Sequence, residues 1–329
     1  MFITILILIS SLALLIFSGH GLVRGSVSIA SKFHISSLVI GMTVVAFGTS
    51  APELIVSLRA AMEGHPDIAV GNVVGSNIAN VALVLGLTAM VIALPVVSKR
   101  LFYDWFFMMI SYFFLWLFFQ NGVIDRYQGV LMVVAIVLFT WRAIKTSMAR
   151  ETSDKDEVSK TYPVWLAIII ILASCAGLAW GADLLVNSAS EIALAFGVSE
   201  RVISVTIVAF GTSVPELTAS LVAAFKKETE ISVGNIVGSN LFNILVVLGV
   251  TSVIHPIPVN YIAFRTDLLW MAVLGILLML VIYPFRVNLA TWKSNRQIKI
   301  LTDLRNGRLT FWGGLILFVL YIVYIAMLF

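Results

Sequence analysis

Two hexapeptides in this chain set a carboxylate behind a glycine, two hydroxyls and a proline. They are Gly48-Thr49-Ser50-x-Pro52-Glu53 and, 163 residues later, Gly211-Thr212-Ser213-x-Pro215-Glu216. Both lie inside apolar runs long enough to cross a bilayer, where a carboxylate costs about 2.5–3.5 kcal/mol on insertion scales. No Lys, Arg or His lies within either segment to pair with it, and Arg59, nearer the end of the first, has only Val222 as its counterpart. The simplest partner is a bound cation, or protons when no cation is there. Proline adds ligands of its own. It has no N–H, so the carbonyl four residues earlier (Gly48, Gly211) loses its helical partner and the ring kinks the helix. Freed carbonyls at membrane depth are tolerated where they line a cavity or bind an ion. Thr49, Glu53 and Ser57 follow an i, i+4 spacing and share a helix face, as do Thr212, Glu216 and Ser220.

A second paired segment, Gly-Asn-x-Val-Gly-Ser-Asn-x-x-Asn, follows each hexapeptide. Asn72, Ser76 and Asn80 lie on one face, matched by Asn235, Ser239 and Asn243. Gly71 with Gly75, and Gly234 with Gly238, are small-xxx-small pairs that let helices approach closely. Close approach brings the amide and hydroxyl oxygens near the two glutamates. For the asparagines, interhelical hydrogen bonding is the competing role. Two carboxylates offer up to four oxygens, and freed carbonyls near Thr49 and Thr212 offer about two more, which suits the 6–8 hard oxygen ligands of Ca²⁺. Na⁺ can use the same residues in a different grouping. Zinc or copper would want His or Cys, absent from both motifs.

The elements that must position these residues are membrane helices. Of 329 residues, 60% are apolar and only 12% charged, with a mean hydropathy of +1.04. This excludes an ordinary cytosolic domain, a disordered chain and a nucleic-acid binder that relies on a basic surface. Spanning runs start near Phe2, Ser37, Ile68, Tyr103, Tyr127, Pro163, Val202, Ile231, Asp267 and Thr310. The first has no basic n-region and no A-x-A-like site, so it is expected to be a retained helix. Polar connectors run from Ala149 to Thr161 and from Phe285 to Leu309. With ten spans, alternate loops on one side hold only Arg59, Arg126, Arg201 and Arg265, and the opposite loops hold the other 17 of the 21 Lys and Arg residues. That asymmetry puts both termini outside the cytoplasm.

From Thr43 to Thr88, 27 of 46 positions are identical to the residue one repeat later, far above chance. Five spans separate equivalent points, and five is odd, so the second copy sits upside down relative to the first. The expected fold is therefore an all-α integral membrane protein of ten transmembrane helices in two inverted five-helix repeats. Residues 1–161 form the first half, with its repeat at about 37–90, and 162–329 the second, with its repeat at about 202–253. Inverted repeats with a midplane site of broken helices describe many secondary transporters. The remaining polar residues read more plainly. Asp183, mirrored only by His20, is expected to serve packing or water access, and Asp104, Asp125, Glu191, Glu200 and Asp267 are expected to be solvated near helix ends. Cys175 reads as a buried small hydrophobe, and the aromatic-rich stretch from Phe102 to Phe119 as lipid-facing, with Trp and Tyr toward the interfaces.

The paired motifs closely resemble the repeats of the calcium/cation antiporter superfamily, the sodium/calcium exchangers and their prokaryotic relatives. The resemblance covers most of the chain. It implies a ten-helix antiporter in two inverted halves that exports Ca²⁺ against Na⁺, or against H⁺ in the cation/proton branch. Carried over residue by residue, it implies calcium ligands at Glu53, Glu216 and the backbone of Thr49 and Thr212. It implies sodium ligands at Ala46, Thr49, Ser50, Glu53 and Ser76, and at Ala209, Thr212, Glu216 and Ser239. One position departs: several sodium/calcium members carry an acid where this chain has Asn243. With Asn80 also neutral, the pocket holds two formal negatives, which one Ca²⁺ or two protons would balance. Gly-Thr-Ser-x-Pro-Glu, in place of the Gly-Asn-x-Val-Glu of the proton branch, favours Na⁺. The expectation is an inner-membrane Ca²⁺/Na⁺ antiporter, not an enzyme. Ca²⁺ and Na⁺ are its transported ions, the lipid bilayer its surroundings, and no cofactor, nucleic acid or obligatory protein partner is expected. Ca²⁺/H⁺ exchange is the alternative. A passive channel filtering through two acid rings, and an intramembrane hydrolase using Ser50 or Ser213, are the rivals from other classes; the hydrolase lacks a His or Lys base.

Overall fold

In lipid an apolar run can satisfy its backbone only as a helix or within a closed barrel, and this chain takes the first course. A computed structural model describes residues 2–96, 100–148, 162–197, 209–282 and 307–328, which are helical apart from two short strand pairs. In chain order the helices are α1 (Phe2–Phe33), α2 (Ser37–Thr49), α3 (Ala51–Met62), α4 (Pro66–Val91), α5 (Arg100–Phe119), α6 (Arg126–Met148), α7 (Val164–Ala195), α8 (Val214–Phe225), α9 (Thr229–Ile254), α10 (Tyr261–Ile282) and α11 (Phe311–Met327). Seven of them (α1, α4, α5, α6, α7, α9 and α10) are long and apolar enough to cross a membrane, and the bent pair α2/α3 makes an eighth candidate span. The run expected from Val202 begins outside the described residues, as do the connector 149–161, Glu200 and most of the connector 285–309.

Burial separates the centre from the rim. The apolar windows of α4 and α9 are 78% and 83% buried, against 22–39% for the other long helices. These two carry the Gly-Asn segments, so the polar motifs occupy the middle of the molecule and the Leu/Ile/Phe-rich helices surround them. Helices α1 and α7 pack antiparallel: Ser18 meets Gly177 and Gly25 meets Ile171. Each has 32 residues, about 48 Å at 1.5 Å per residue, well beyond a hydrocarbon core of about 30 Å. Within α7, Asp183 is exposed and takes a hydrogen bond from Asn187. Two antiparallel strand pairs, β1 (Leu94–Val96) with β4 (Gly307–Leu309) and β2 (Val123–Ile124) with β3 (Ile257–Pro258), close the turns at the helix ends.

Several expectations change. Asp104 is 3% exposed rather than solvated, because α5 turns it inward. Asp267 is half-buried and accepts from Tyr324 Oη at 3.1 Å. Asp125 is also half-buried and forms a reciprocal cap with Gln128 at the start of α6: Gln128 N donates to Asp125 Oδ1 (2.8 Å) and Asp125 N to Gln128 Oε1 (3.1 Å). The aromatic stretch is not wholly lipid-facing either, since Tyr112, Leu115 and Phe119 are buried. Cys175 is half-buried, packed over Gly48.

Candidate cation-binding site

The prolines break their helices rather than kink them. Helix α2 ends at Thr49, Ser50 leaves helical geometry at φ −89°, ψ 4°, and α3 restarts at Ala51 with a 45° bend. Pro52 therefore sits in the first turn of a new helix, where its missing N–H costs nothing. Ser50 N still reaches Ala46 O (3.0 Å), and Leu54 N reaches Ser50 O (3.3 Å). The second segment repeats this. A short turn at Ala209–Gly211 is followed by Thr212 and then Ser213 at φ −90°, ψ 0°, and α8 begins with Pro215 in its first turn. Glu53 and Glu216 consequently occupy the first turns of two half-helices, whose N-terminal dipoles favour negative charge.

Both glutamates are fully buried. Glu216 Oε1 accepts from Ser50 Oγ at 3.4 Å, which ties the carboxylate of one motif to the break of the other. Glu216 Oε2 and both carboxylate oxygens of Glu53 have no hydrogen-bond partner. The amide oxygens of Asn80 and Asn243 are likewise buried and unpartnered, as is Ser213 Oγ. A buried acceptor left bare costs about 1–3 kcal/mol, more if charged. Bare oxygens on both glutamates and on both asparagines, matched between the two copies, are what a cation would satisfy.

The surrounding bonds hold these groups in place. Asn72 Nδ2 donates to Glu53 O (3.3 Å) and Ser57 Oγ (2.9 Å). Asn235 Nδ2 does the same to Glu216 O (3.5 Å) and Ser220 Oγ (3.1 Å). These asparagines thus turn their NH₂ groups, not their oxygens, toward the glutamate backbones. Thr49 Oγ1 lies 3.2 Å from Asn235 Oδ1, to which it donates, and 3.3 Å from Ser239 Oγ. It also lies 3.3 Å from Ala46 O, a carbonyl that already accepts from Ser50 N, and the one Thr49 hydroxyl proton serves one of these acceptors at a time. Ser76 and Ser239 are buried, whereas Thr212 and Asn72 are half-buried. The first break therefore packs more tightly against the opposite Gly-Asn helix than the second.

Glycine makes that packing possible. A Cβ on Gly234 would lie 2.5 Å from Leu38 O, and one on Gly238 2.5 Å from Met42 O. Gly71 and Gly75 have no such contact among the described residues; the counterparts of Leu38 and Met42, namely Arg201 and Val205, lie outside them. Both central helices widen into a π turn beginning at the last asparagine of the motif, Asn80–Leu85 and Asn243–Leu248, a feature common at functional sites. Three residues were not singled out from the sequence: Asn77, Asn240 and Tyr112, all buried in one hydrogen-bonded cluster with Asn80 and Asn243. Their signal was present in part, since Asn77 and Asn240 match across the repeat. Among the described residues no three His, Cys, Asp or Glu side chains gather, so any cation held here relies on the two glutamates and neutral oxygens.

Comparison with known proteins places likeness along most of the chain. A family described as Sodium/calcium exchanger protein matches residues 3–145 and 166–329. The sodium/calcium exchanger MaX1 of Methanosarcina acetivorans is 28% identical over a 364-residue alignment covering 98% of each chain. Inner membrane protein YrbG of Escherichia coli is 34% identical over 274 residues, 79% of this chain and 83% of YrbG. Among solved structures, the sodium-calcium exchanger NCX_Mj superposes with a TM-score of 0.77 at 29% identity, covering 98% of each chain.

Proposed function

The chain belongs to the sodium/calcium exchanger family, and from that premise we propose that it exports Ca²⁺ in exchange for Na⁺ at a site centred on Glu53 and Glu216. Family and fold support a multi-pass membrane protein and a calcium-handling cation antiporter. The finer reading rests on one observation: two fully buried, repeat-related glutamates with three of four carboxylate oxygens unpartnered, together with two bare, buried, repeat-related asparagine oxygens. In this reading Glu53, Glu216, Asn80 and Asn243 supply ligand oxygens to Ca²⁺, with backbone oxygens at Thr49 and Thr212. Na⁺ competes for the glutamates and draws in addition on Ala46, Ser50, Ser76, Ala209, Ser213 and Ser239. Asn72 and Asn235 hold the glutamate backbones.

Charge explains the coupling. Two carboxylates without a counter-charge are costly to bury, so the empty site resists closure and the ion-loaded site does not. One Ca²⁺ cancels both charges, and so do two monovalent ions bound at the carboxylates. The protein can then change the side to which the site opens only when loaded, which links the two fluxes. The architecture that goes with this has ten helices in inverted halves, residues 1–161 and 162–329, with both termini outside the cytoplasm. The test is ⁴⁵Ca²⁺ uptake into proteoliposomes driven by an outward Na⁺ gradient with pH clamped on both sides. Uptake that needs the Na⁺ gradient and disappears in Glu53→Gln and Glu216→Gln supports the proposal. Uptake driven by a pH gradient and indifferent to Na⁺ replaces it with Ca²⁺/H⁺ exchange.

A further inference from the structure

Resting on the ligand reading above, we infer that Asn77, Asn240 and Tyr112 are positioning residues that aim the amide oxygens of Asn80 and Asn243 at the cation. A carboxamide turned by 180° exchanges its oxygen for its NH₂, so an asparagine ligand is useful only if something selects the orientation. Here the selection is made by a pair of crossed amides. Asn80 Nδ2 donates to Asn240 Oδ1 and Asn243 Nδ2 to Asn77 Oδ1, both at 3.1 Å. With their NH₂ groups committed, the Oδ1 atoms of Asn80 and Asn243 are left bare.

Asn77 and Asn240 can act only as acceptors toward these partners, because their own NH₂ groups are engaged elsewhere. Each donates to the other's backbone carbonyl at 3.3 Å, locking α4 to α9 across the centre. The remaining contacts differ. Asn240 Nδ2 donates to Tyr112 Oη at 2.9 Å, whereas Asn77 Nδ2 meets the Met271 thioether at 3.7 Å, and a thioether sulfur is the weaker acceptor. Tyr112 has no equivalent in the other copy: the residue 163 positions on is Gly275, and a Cβ there would lie 3.2 Å from the Tyr112 ring. All four asparagines and Tyr112 are at most 3% exposed, so water does not compete for these bonds. The Asn80 arm is therefore held firmly through Asn240 and Tyr112, and the Asn243 arm more loosely.

Tyr112→Phe removes one hydroxyl and keeps the ring. Equilibrium ⁴⁵Ca²⁺ binding to the purified full chain, in wild-type and Asn80→Ala backgrounds, separates positioning from simple helix adhesion. Tyr112→Phe is expected to weaken Ca²⁺ binding roughly fivefold, the weight of one neutral hydrogen bond, and by less than twofold once Asn80 is already alanine. Equal losses in both backgrounds, or no loss in the wild-type background, would overturn the inference. Asn80→Ala binding Ca²⁺ as tightly as wild type would instead sink the ligand reading beneath it. The same lost bond also weakens the fold, so a small fall in Tm of equal size in both backgrounds is expected, and only the dependence of the affinity loss on Asn80 separates positioning from adhesion.

Discussion

Gly238→Ala adds one methyl group where α9 crosses α2. The new Cβ would lie 2.5 Å from Met42 O, 2.6 Å from Met42 Cα and 2.7 Å from Ala46 Cβ. Two of these atoms are backbone, so no rotamer change relieves the clash. Restoring an ordinary contact of 3.4 Å requires the helices to part by about 0.9 Å. Asn235 and Ser239 flank Gly238 on the same helix, and their contacts with the Thr49 hydroxyl, at 3.2 and 3.3 Å, would then stretch beyond hydrogen-bonding distance. Overpacking costs about 1–3 kcal/mol and each lost bond about 1 kcal/mol, while replacing glycine within a helix returns about 1 kcal/mol. The clash wins, for a net destabilisation of about 2–4 kcal/mol and a fall in Tm of roughly 3–6 °C in a chain of this size. Thermal unfolding of the purified protein reads the stability, and Ca²⁺ binding reads the strained Thr49 break. A variant with wild-type Tm and wild-type affinity would refute the reasoning, since it would mean that α2 and α9 do not approach through Gly238.

Two further outcomes follow. Asn243→Asp should keep Ca²⁺ affinity within about threefold, because a protonated acid can still donate to Asn77 Oδ1, whereas Asn243→Leu should lose about tenfold; equal affinities would remove Asn243 from the ligand set. Glu63 and Lys226 are repeat counterparts at the ends of α3 and α8. In a Cys175→Ala background, a membrane-impermeant thiol reagent applied to intact cells should label Glu63→Cys and spare Lys226→Cys, and labelling of both would contradict the inversion.

What could be read from the sequence was what membrane burial makes expensive. An acid in an apolar run must be compensated wherever it lies, so Glu53 and Glu216 stand out without coordinates, and the helical character follows from hydropathy alone. The consequences of Pro52 and Pro215 were only half legible. Sequence shows that a carbonyl loses its partner, but a kinked helix and a broken one share that signature, and the non-helical turn at Ser50 and Ser213 decides between them. Asn77 and Asn240 were missed because helical periodicity places Asn72, Ser76 and Asn80 on one face and turns the adjacent residue about 100° away. That second direction looks across to the other repeat, a relation no single-helix pattern contains. Tyr112 was hidden by its company, since an aromatic run reads as lipid-facing until one hydroxyl is found pointing inward. Asp104 was misplaced for a related reason: proximity to a helix end does not say which way the helix faces.

Central to the proposed exchange are two buried carboxylates sharing one divalent cation that Na⁺ can displace. Equilibrium ⁴⁵Ca²⁺ binding to the purified chain at fixed pH, titrated with NaCl against a choline control, addresses this directly. The expected result is one Ca²⁺ per chain, released by Na⁺ but not by choline, with no saturable binding in Glu53→Gln or Glu216→Gln. Ca²⁺ binding that persists in both glutamine variants, or that Na⁺ leaves untouched, would contradict it.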